Sequence, residues 1–200
     1  ILAGTMLLSM SSIGLAQDSA ALVPELTLQP AVDRALELSR TIKTAEAQKE
    51  KAWEQRANAQ KAVKYTPLGM VNPQIEAAYA GLLQAELNYQ MKSKDLESLQ
   101  DDIKAKVVEK YCGVLSAQAN YTAAQETLKN AEWQYNAAMA QLWVGMLAPA
   151  SETAVNAALG QAKASLAQSE EALNKAYVEL NSLIGYLPET RARLTTSIPY

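Results

Sequence analysis

Apolar residues recur every seven positions through two long stretches of the chain. In the stretch at residues 74–142, a row of large side chains runs beside a row of small ones. The large row is Val107, Val114, Tyr121, Leu128, Tyr135 and Leu142, and the small row is Ala117, Ala124, Ala131, Ala138 and Gly145. Sustained heptads predict α-helices that wind around neighbouring helices, with large side chains of one helix settling over small ones of the next.

A second stretch with the same repeat follows a short interruption. Its two rows are Leu159, Leu166, Leu173, Leu180 and Leu187, and Val155, Ala162, Ser169, Ala176 and Leu183. Gly145 and Pro149 separate the stretches, because both residues disfavour a helix interior. We therefore predict a turn that lays two long helices antiparallel, with Ser151 as the N-cap of the returning helix and Gly185 as its end.

An earlier helix is predicted at residues 27–64. Thr27 suits the N-cap and Pro30 the first turn, and glutamates and lysines at three- and four-residue steps then indicate an exposed, solvated helix surface. Two prolines and a glycine at residues 65–73 end this helix. The next helix, at 74–142, would be roughly 100 Å long. The predicted fold class is all-α, built from long antiparallel coiled-coil helices.

Alanines also occupy helix faces outside the heptad rows. They are Ala123, Ala137, Ala140, Ala157, Ala164, Ala167 and Ala172. One interpretation is a second seam on each helix, which a closed wall of helices requires. The other is that alanine is simply a good helix former. The pattern alone does not separate the two.

Composition restricts the function more than the fold. At 200 residues the chain predicts one domain, and a net charge of -3 with a pI of about 5.2 gives no basic surface for nucleic acid. Histidine is absent, which removes the commonest general base and zinc ligand. We therefore expect no enzyme, no catalytic or metal-binding residues and no cofactor. Cys112, which has no second cysteine to pair with, is better explained as a small apolar residue than as a reactive thiol.

The front of the chain has the pattern of an export signal. Residues 1–15 are apolar but too few for an ordinary membrane-spanning helix, and Gly14 and Ala16 suit a cleavage site. Residues 1–16 are thus predicted to be a secretory signal peptide clipped at its start, since its basic segment and initial Met are missing. A packed N-terminal helix is the alternative. The remainder divides into a linker at 17–26, a helical repeat at 27–194 and a tail at 195–200.

The turn between the two long helices is apolar, although turns are normally small and polar. The residues that occupy it are Trp143, Val144, Gly145, Met146 and Leu147. Two explanations stay open from the residues alone: an interface with another protein, or a hydrophobic clasp that closes the hairpin. In the first case Trp143 anchors the interface, and in the second it packs inward under the turn.

Four segments together resemble the TolC family of outer-membrane efflux proteins. They are LTLQPAVDRALELS at 26–39, VVEKYCGVLSAQANYTAAQETLKNAEWQY at 107–135, LWVGMLAPASE at 142–152 and AALGQAKASLAQSEEALNKAYVELNSLIGYLPE at 157–189. Their order and spacing carry the resemblance, which spans about residues 26–194. It implies a trimer of two-repeat chains forming an α-helical tunnel, through which an inner-membrane pump exports solutes. It also implies an exported chain in the cell envelope, at the outer membrane.

The resemblance assigns a partner to the apolar turn. In this family a Val-Gly-hydrophobic motif at the helical tip receives the hairpin of a periplasmic adaptor, or membrane fusion protein. Val144, Gly145 and Met146 match that motif. Residues 143–147 are therefore expected to bind an adaptor, with Gly145 allowing another backbone to approach closely.

Two departures from the family bear on these expectations. Family repeats carry a β-hairpin, whereas residues 65–90 contain no alternating strand pattern, so contact of this repeat with a membrane stays open. Only one repeat is present, which indicates either a truncated chain or single-repeat chains that assemble in greater number. The leading hypothesis is a TolC-like duct component for efflux or secretion. The alternative is an exported coiled-coil rod, structural or adaptor, without a channel.

Overall fold

A computed structural model describes residues 25–64, 73–146 and 149–195, and helices account for 89% of them. The elements are β1 (Glu25–Leu26), α1 (Leu28–Leu38), α2 (Arg40–Lys64), α3 (Pro73–Trp143), α4 (Pro149–Ile184) and β2 (Arg193–Leu194). The all-α class is confirmed. The predicted signal peptide and residues 196–200 of the tail lie outside the described residues.

The fold is organised around α3, whose 71 residues extend over roughly 105 Å. Helix α2 packs along its first half, where Arg56 forms an ion pair with Glu86. Helix α4 packs along its second half, where the Gln118 amide donates to the Tyr177 hydroxyl at 2.6 Å. Helix α1 contacts both α3 and α4 near the middle. Two shorter helices therefore lie along successive halves of one long helix.

The heptad positions face their neighbours, as expected of side chains that hold long helices together. Val107 and Val114 of α3 and Leu180 of α4 are almost fully buried, and Ala124 and Ala162 are buried too. Two members of the predicted rows do not belong to a helix. Gly145 lies in the turn after α3, and Leu187 lies beyond the end of α4 with 76% of its surface exposed.

The prediction of a single helix at residues 27–64 is wrong, because the helix is interrupted at Ser39. This residue has extended backbone angles, with φ -65° and ψ 118°. Its hydroxyl accepts a hydrogen bond from the Ile42 amide at 3.3 Å, so Ser39 caps the start of α2. The break lets α1 settle against both α3 and α4, while α2 continues along α3.

Two further boundaries differ from the prediction. Helix α4 begins at Pro149 rather than after Ser151, because proline suits the first helical position, where no amide donor is needed. The segment assigned as a linker includes β1, whose Leu26 pairs in parallel with Leu194 of β2. Both leucines are buried, so the ends of the described chain join the folded unit instead of trailing from it.

Buried hydroxyl groups fix the strand pair to the helices. The Tyr111 hydroxyl lies 3.0 Å from the Leu26 carbonyl and 2.9 Å from the Thr195 carbonyl, so one proton serves two acceptors. The Tyr177 hydroxyl donates to the Ala192 carbonyl at 3.0 Å. Burial raises the pKa of both tyrosines, so each hydroxyl keeps its proton and its donor role at neutral pH.

Candidate partner-binding site

The turn after α3 is a helix C-cap built on a left-handed glycine. Gly145 has φ +72°. The Met146 amide donates to the Gln141 carbonyl at 2.9 Å, and the Gly145 amide donates to the Leu142 carbonyl at 3.0 Å. These two bonds form a Schellman motif, which satisfies carbonyls that the helix end leaves free. Gly145 is therefore required by the turn itself, whether or not another backbone approaches it.

The cap turns large apolar side chains outward. We call residues 143–146 the apex. Trp143 is 86% exposed, Val144 67% and Met146 81%. Trp143 does not pack inward under the turn, and these three side chains do not form a closed clasp. Leu147, the fifth residue predicted for this site, lies outside the described residues.

A shallow groove beside the apex extends the apolar surface along α3. Its volume is about 610 Å³, and its lining consists of Tyr135, Asn136, Met139, Ala140 and Trp143. All five residues belong to one helix. The sequence alone predicts only Trp143 at a binding surface, although the spacing of residues 136, 139, 140 and 143 puts them on one helix face.

The apex end of the molecule carries almost no charge. No Asp, Glu, Lys or Arg occurs at residues 133–151, and Glu152 in the first turn of α4 is the first to follow. Elsewhere α3 and α4 carry surface ion pairs. Lys110 Nζ lies 3.0 Å from Glu179 Oε2, and this contact raises the pKa of Lys110 and lowers that of Glu179. The apex is suited to apolar contact rather than to ionic recognition.

Within the described residues, no group of three acidic or cysteine side chains is arranged to hold a metal ion. None of the four helices contains a described stretch that is apolar and long enough to cross a membrane. The apex exposes an indole, a thioether and a branched aliphatic side chain at the end of the pair formed by α3 and α4.

A second row of exposed apolar side chains lies far from the apex. Tyr79, Leu83, Leu87 and Met91 follow one another at four-residue steps in the first half of α3, and all are about half exposed or more. Residues four apart lie on the same helix face. This row lies outside the seven-residue repeat, which is confined to the second half of α3.

No protein-family model matches the chain, and no curated protein matches it.

Proposed function

We propose that this protein is an exported, TolC-like duct component in the cell envelope, at the outer membrane. Helices α3 and α4 form an antiparallel coiled-coil stave in it, and several copies of the repeat close into an α-helical tunnel. Solutes leave through the tunnel with the help of a pump and a periplasmic adaptor. The protein performs no chemistry of its own. The resemblance and the outward-facing apex support this proposal together.

The single observation that carries the proposal is the exposure of Trp143, Val144 and Met146 at the end of the helical pair. Contiguous apolar surface of this kind usually marks a protein–protein contact. A clasp would have buried these side chains. An adaptor hairpin that covers the apex gives them a role, and the lack of nearby charge fits an apolar partner.

Exposed alanines support lateral assembly. Ala123 and Ala140 on α3 and Ala157, Ala164 and Ala172 on α4 are all exposed in the isolated chain. Small side chains let helix axes come close. Neighbouring copies would use these faces as the second seam that a closed wall needs, whereas an isolated coiled-coil rod needs one seam.

Mass and shape in solution test the duct directly. We expect the purified full chain to form a closed ring of several copies, measured by light scattering for mass and by electron microscopy for shape. The ring should contain a central channel lined by parallel staves. A monomeric or dimeric rod would contradict the duct and would favour the alternative, a coiled-coil structural or adaptor rod without a channel.

One glycine within the apex and one glycine outside it test adaptor binding. We expect Gly145→Glu to weaken binding of the cognate periplasmic adaptor at least tenfold, because it adds a charge and a Cβ to the apolar turn. Gly160→Glu is the control for the added charge, since Gly160 lies within α4 with open space around it. Binding is measured by surface plasmon resonance and helix content by circular dichroism. Equal affinity of the two variants would refute the apex as the adaptor site.

A further inference from the structure

The four apolar side chains in the first half of α3, which we call the α3 row, have no partner among the described residues. Tyr79 is 52% exposed, Leu83 62%, Leu87 49% and Met91 57%. Helix α2 lies along the same half of α3 but leaves this row uncovered. Contiguous exposed apolar surface of this kind usually marks a contact with another molecule.

The row lies on the side of α3 that faces away from α2. Tyr89 faces α2, because the Arg56 guanidinium of α2 lies over its ring, 5.2 Å from the centroid. Leu87 and Met91 each stand two residues from Tyr89, and two residues rotate a side chain by about 200° around a helix. These two side chains therefore form one edge of the pair that α2 and α3 make.

The other edge of this pair belongs to α2 and is acidic. Ala52 is 2% exposed and faces α3, the helix against which α2 packs. Glu50 and Glu54 each stand two residues from Ala52, so both point away from α3, and both are exposed. Ala57 follows Glu54 after three residues on the same side of the helix. We call Glu50, Glu54 and Ala57 the α2 edge.

We propose that the α3 row of one copy packs against the α2 edge of the next copy in the ring. This inference rests on the duct proposed above, and it names the surfaces that join neighbouring copies in this half of the molecule. All copies point the same way. The contact is head-to-tail around the ring, because each copy contributes a different surface to each of its two neighbours.

Ring closure determines which residues meet. Rotation alone relates the copies of a closed ring, so surfaces in contact lie at the same height when the helices run along the ring axis. Two contacts within the chain set the heights. Arg56 pairs with Glu86, and Ala45 shares a buried cluster with Leu96. Residue numbers therefore rise along α3 as they fall along α2.

These heights bring complementary side chains together. Glu50 is level with about residue 92 of α3, within one turn of Lys94 on the neighbouring copy. Lys94 is 79% exposed and pairs with Glu97 of its own helix. An exposed pair of this kind contributes little, so the ammonium group is free to turn toward Glu50. Ala57 is level with about residue 85, where its small side chain leaves room for Leu87 of the neighbour.

The α3 row supplies about half of the surface that a stable contact needs. At roughly 200 Å² for a fully exposed side chain of this size, its four members present about 400 Å². A stable interface buries about 800 Å² per partner. The remainder comes from the exposed alanine faces of α3 and α4, which continue the lateral contact along the second half of the molecule.

A charge placed within the α3 row tests the contact. In the full chain, Leu87→Glu should weaken association between copies at least tenfold, because it sets a carboxylate opposite the acidic α2 edge. Sedimentation equilibrium over a concentration series measures the association, and circular dichroism checks the helix content. Trp53→Glu is the matched control and should leave the association unchanged. Trp53 is 48% exposed, and it lies one residue from Ala52, on a broad face of the pair rather than at an edge.

The outcomes separate this contact from the duct. An unmodified chain that forms no ring would refute the duct and this contact together. Rings of unchanged stability in Leu87→Glu would refute the contact and leave the duct standing. Equal weakening by Leu87→Glu and Trp53→Glu would also refute the contact. If Leu87→Glu instead abolished binding to phosphatidylglycerol vesicles while the rings persisted, the α3 row would be a lipid-binding surface.

Cysteine cross-linking tests which residues meet. In a Cys112→Ser background, Glu50→Cys combined with Lys94→Cys should give a ladder of covalent multimers on mild oxidation. The two positions lie on opposite edges of one chain, across helix axes about 8–10 Å apart, so a disulfide within the chain is out of reach. Ala57→Cys combined with Lys94→Cys is the control, because Ala57 lies about 10 Å along α2 from Glu50. Equal ladders from the two pairs, or none from the first, would overturn the proposal.

Discussion

Gly185→Ala is expected to lower the free energy of unfolding by about 2–3 kcal/mol. Gly185 ends α4 with φ +69°, and the Tyr186 amide then donates to the Asn181 carbonyl at 3.0 Å. A left-handed backbone costs a residue with a Cβ about 1–2 kcal/mol. A Cβ at this position would also stand 2.4 Å from Leu38 Cδ1, so the Leu38 side chain has to move away.

Two other glycines separate the backbone cost from the contact with Leu38. Gly145 has φ +72° with open space around it, so Gly145→Ala should lose only the backbone part, about 1–2 kcal/mol. Gly160 lies inside α4 with equally open space, and Gly160→Ala should gain up to about 1 kcal/mol from helix propensity. Urea unfolding followed by circular dichroism measures all three. If Gly185→Ala lost no more than Gly145→Ala, Leu38 would not constrain that turn.

The helices that the sequence predicts best are those whose signal repeats along the chain. The sequence predicts α3 at residues 74–142 and the helix spans Pro73–Trp143, because helical periodicity continues through the stretch and its second half adds a seven-residue apolar repeat. Gly145 and Gly185 were expected to end α3 and α4, since both follow the last turn of such a pattern. Local backbone conformation decides these boundaries, and the two glycines reveal it in the sequence.

The features that the sequence did not predict depend on residues far apart in the chain. Ser39 breaks a helix that local propensity favours, and it does so where α1 contacts α3 and α4. Leu26 pairs with Leu194 only after these helices have placed the two segments side by side. A strand of two residues is too short to show a periodic pattern. The sequence at residues 25–26 and 193–194 therefore does not predict that pairing.

Only part of the candidate site could be predicted from the sequence. An apolar turn signals an exposed interface or an internal clasp equally well, because composition does not give the direction of a side chain. The exposure of Trp143 and Met146 shows only that these side chains point outward. The groove beside them was accessible to sequence reasoning, since Asn136, Met139 and Ala140 have the spacing of one helix face. The long heptads point instead to an adjoining face, which shares Tyr135 with the groove.

Asn181→Leu should destabilise the fold by about 2–3 kcal/mol, because one buried amide group organises the segment after α4. Asn181 is 1% exposed. Its amide nitrogen donates to the Leu187 carbonyl at 3.0 Å, the Thr190 carbonyl at 2.8 Å and the Pro188 carbonyl at 3.4 Å. Leucine fills the same space but supplies no donor. Ser182→Leu is the matched control, since Ser182 is exposed one residue further along α4.

Asn181→Asp tests whether the donor, rather than the shape, holds this segment. An ionised carboxylate would face three carbonyl oxygens in a buried place, so the folded-state pKa of this aspartate should rise above the unfolded value of about 3.9. The stability of the variant should therefore be greatest below about pH 4 and fall as the pH rises through the folded-state pKa. Asn181→Leu should show a constant loss relative to the unmodified chain over that range. Urea midpoints between pH 4 and pH 8 measure the difference. Parallel curves for the two variants would mean that the amide protons of Asn181 do not hold the loop, and that packing alone does.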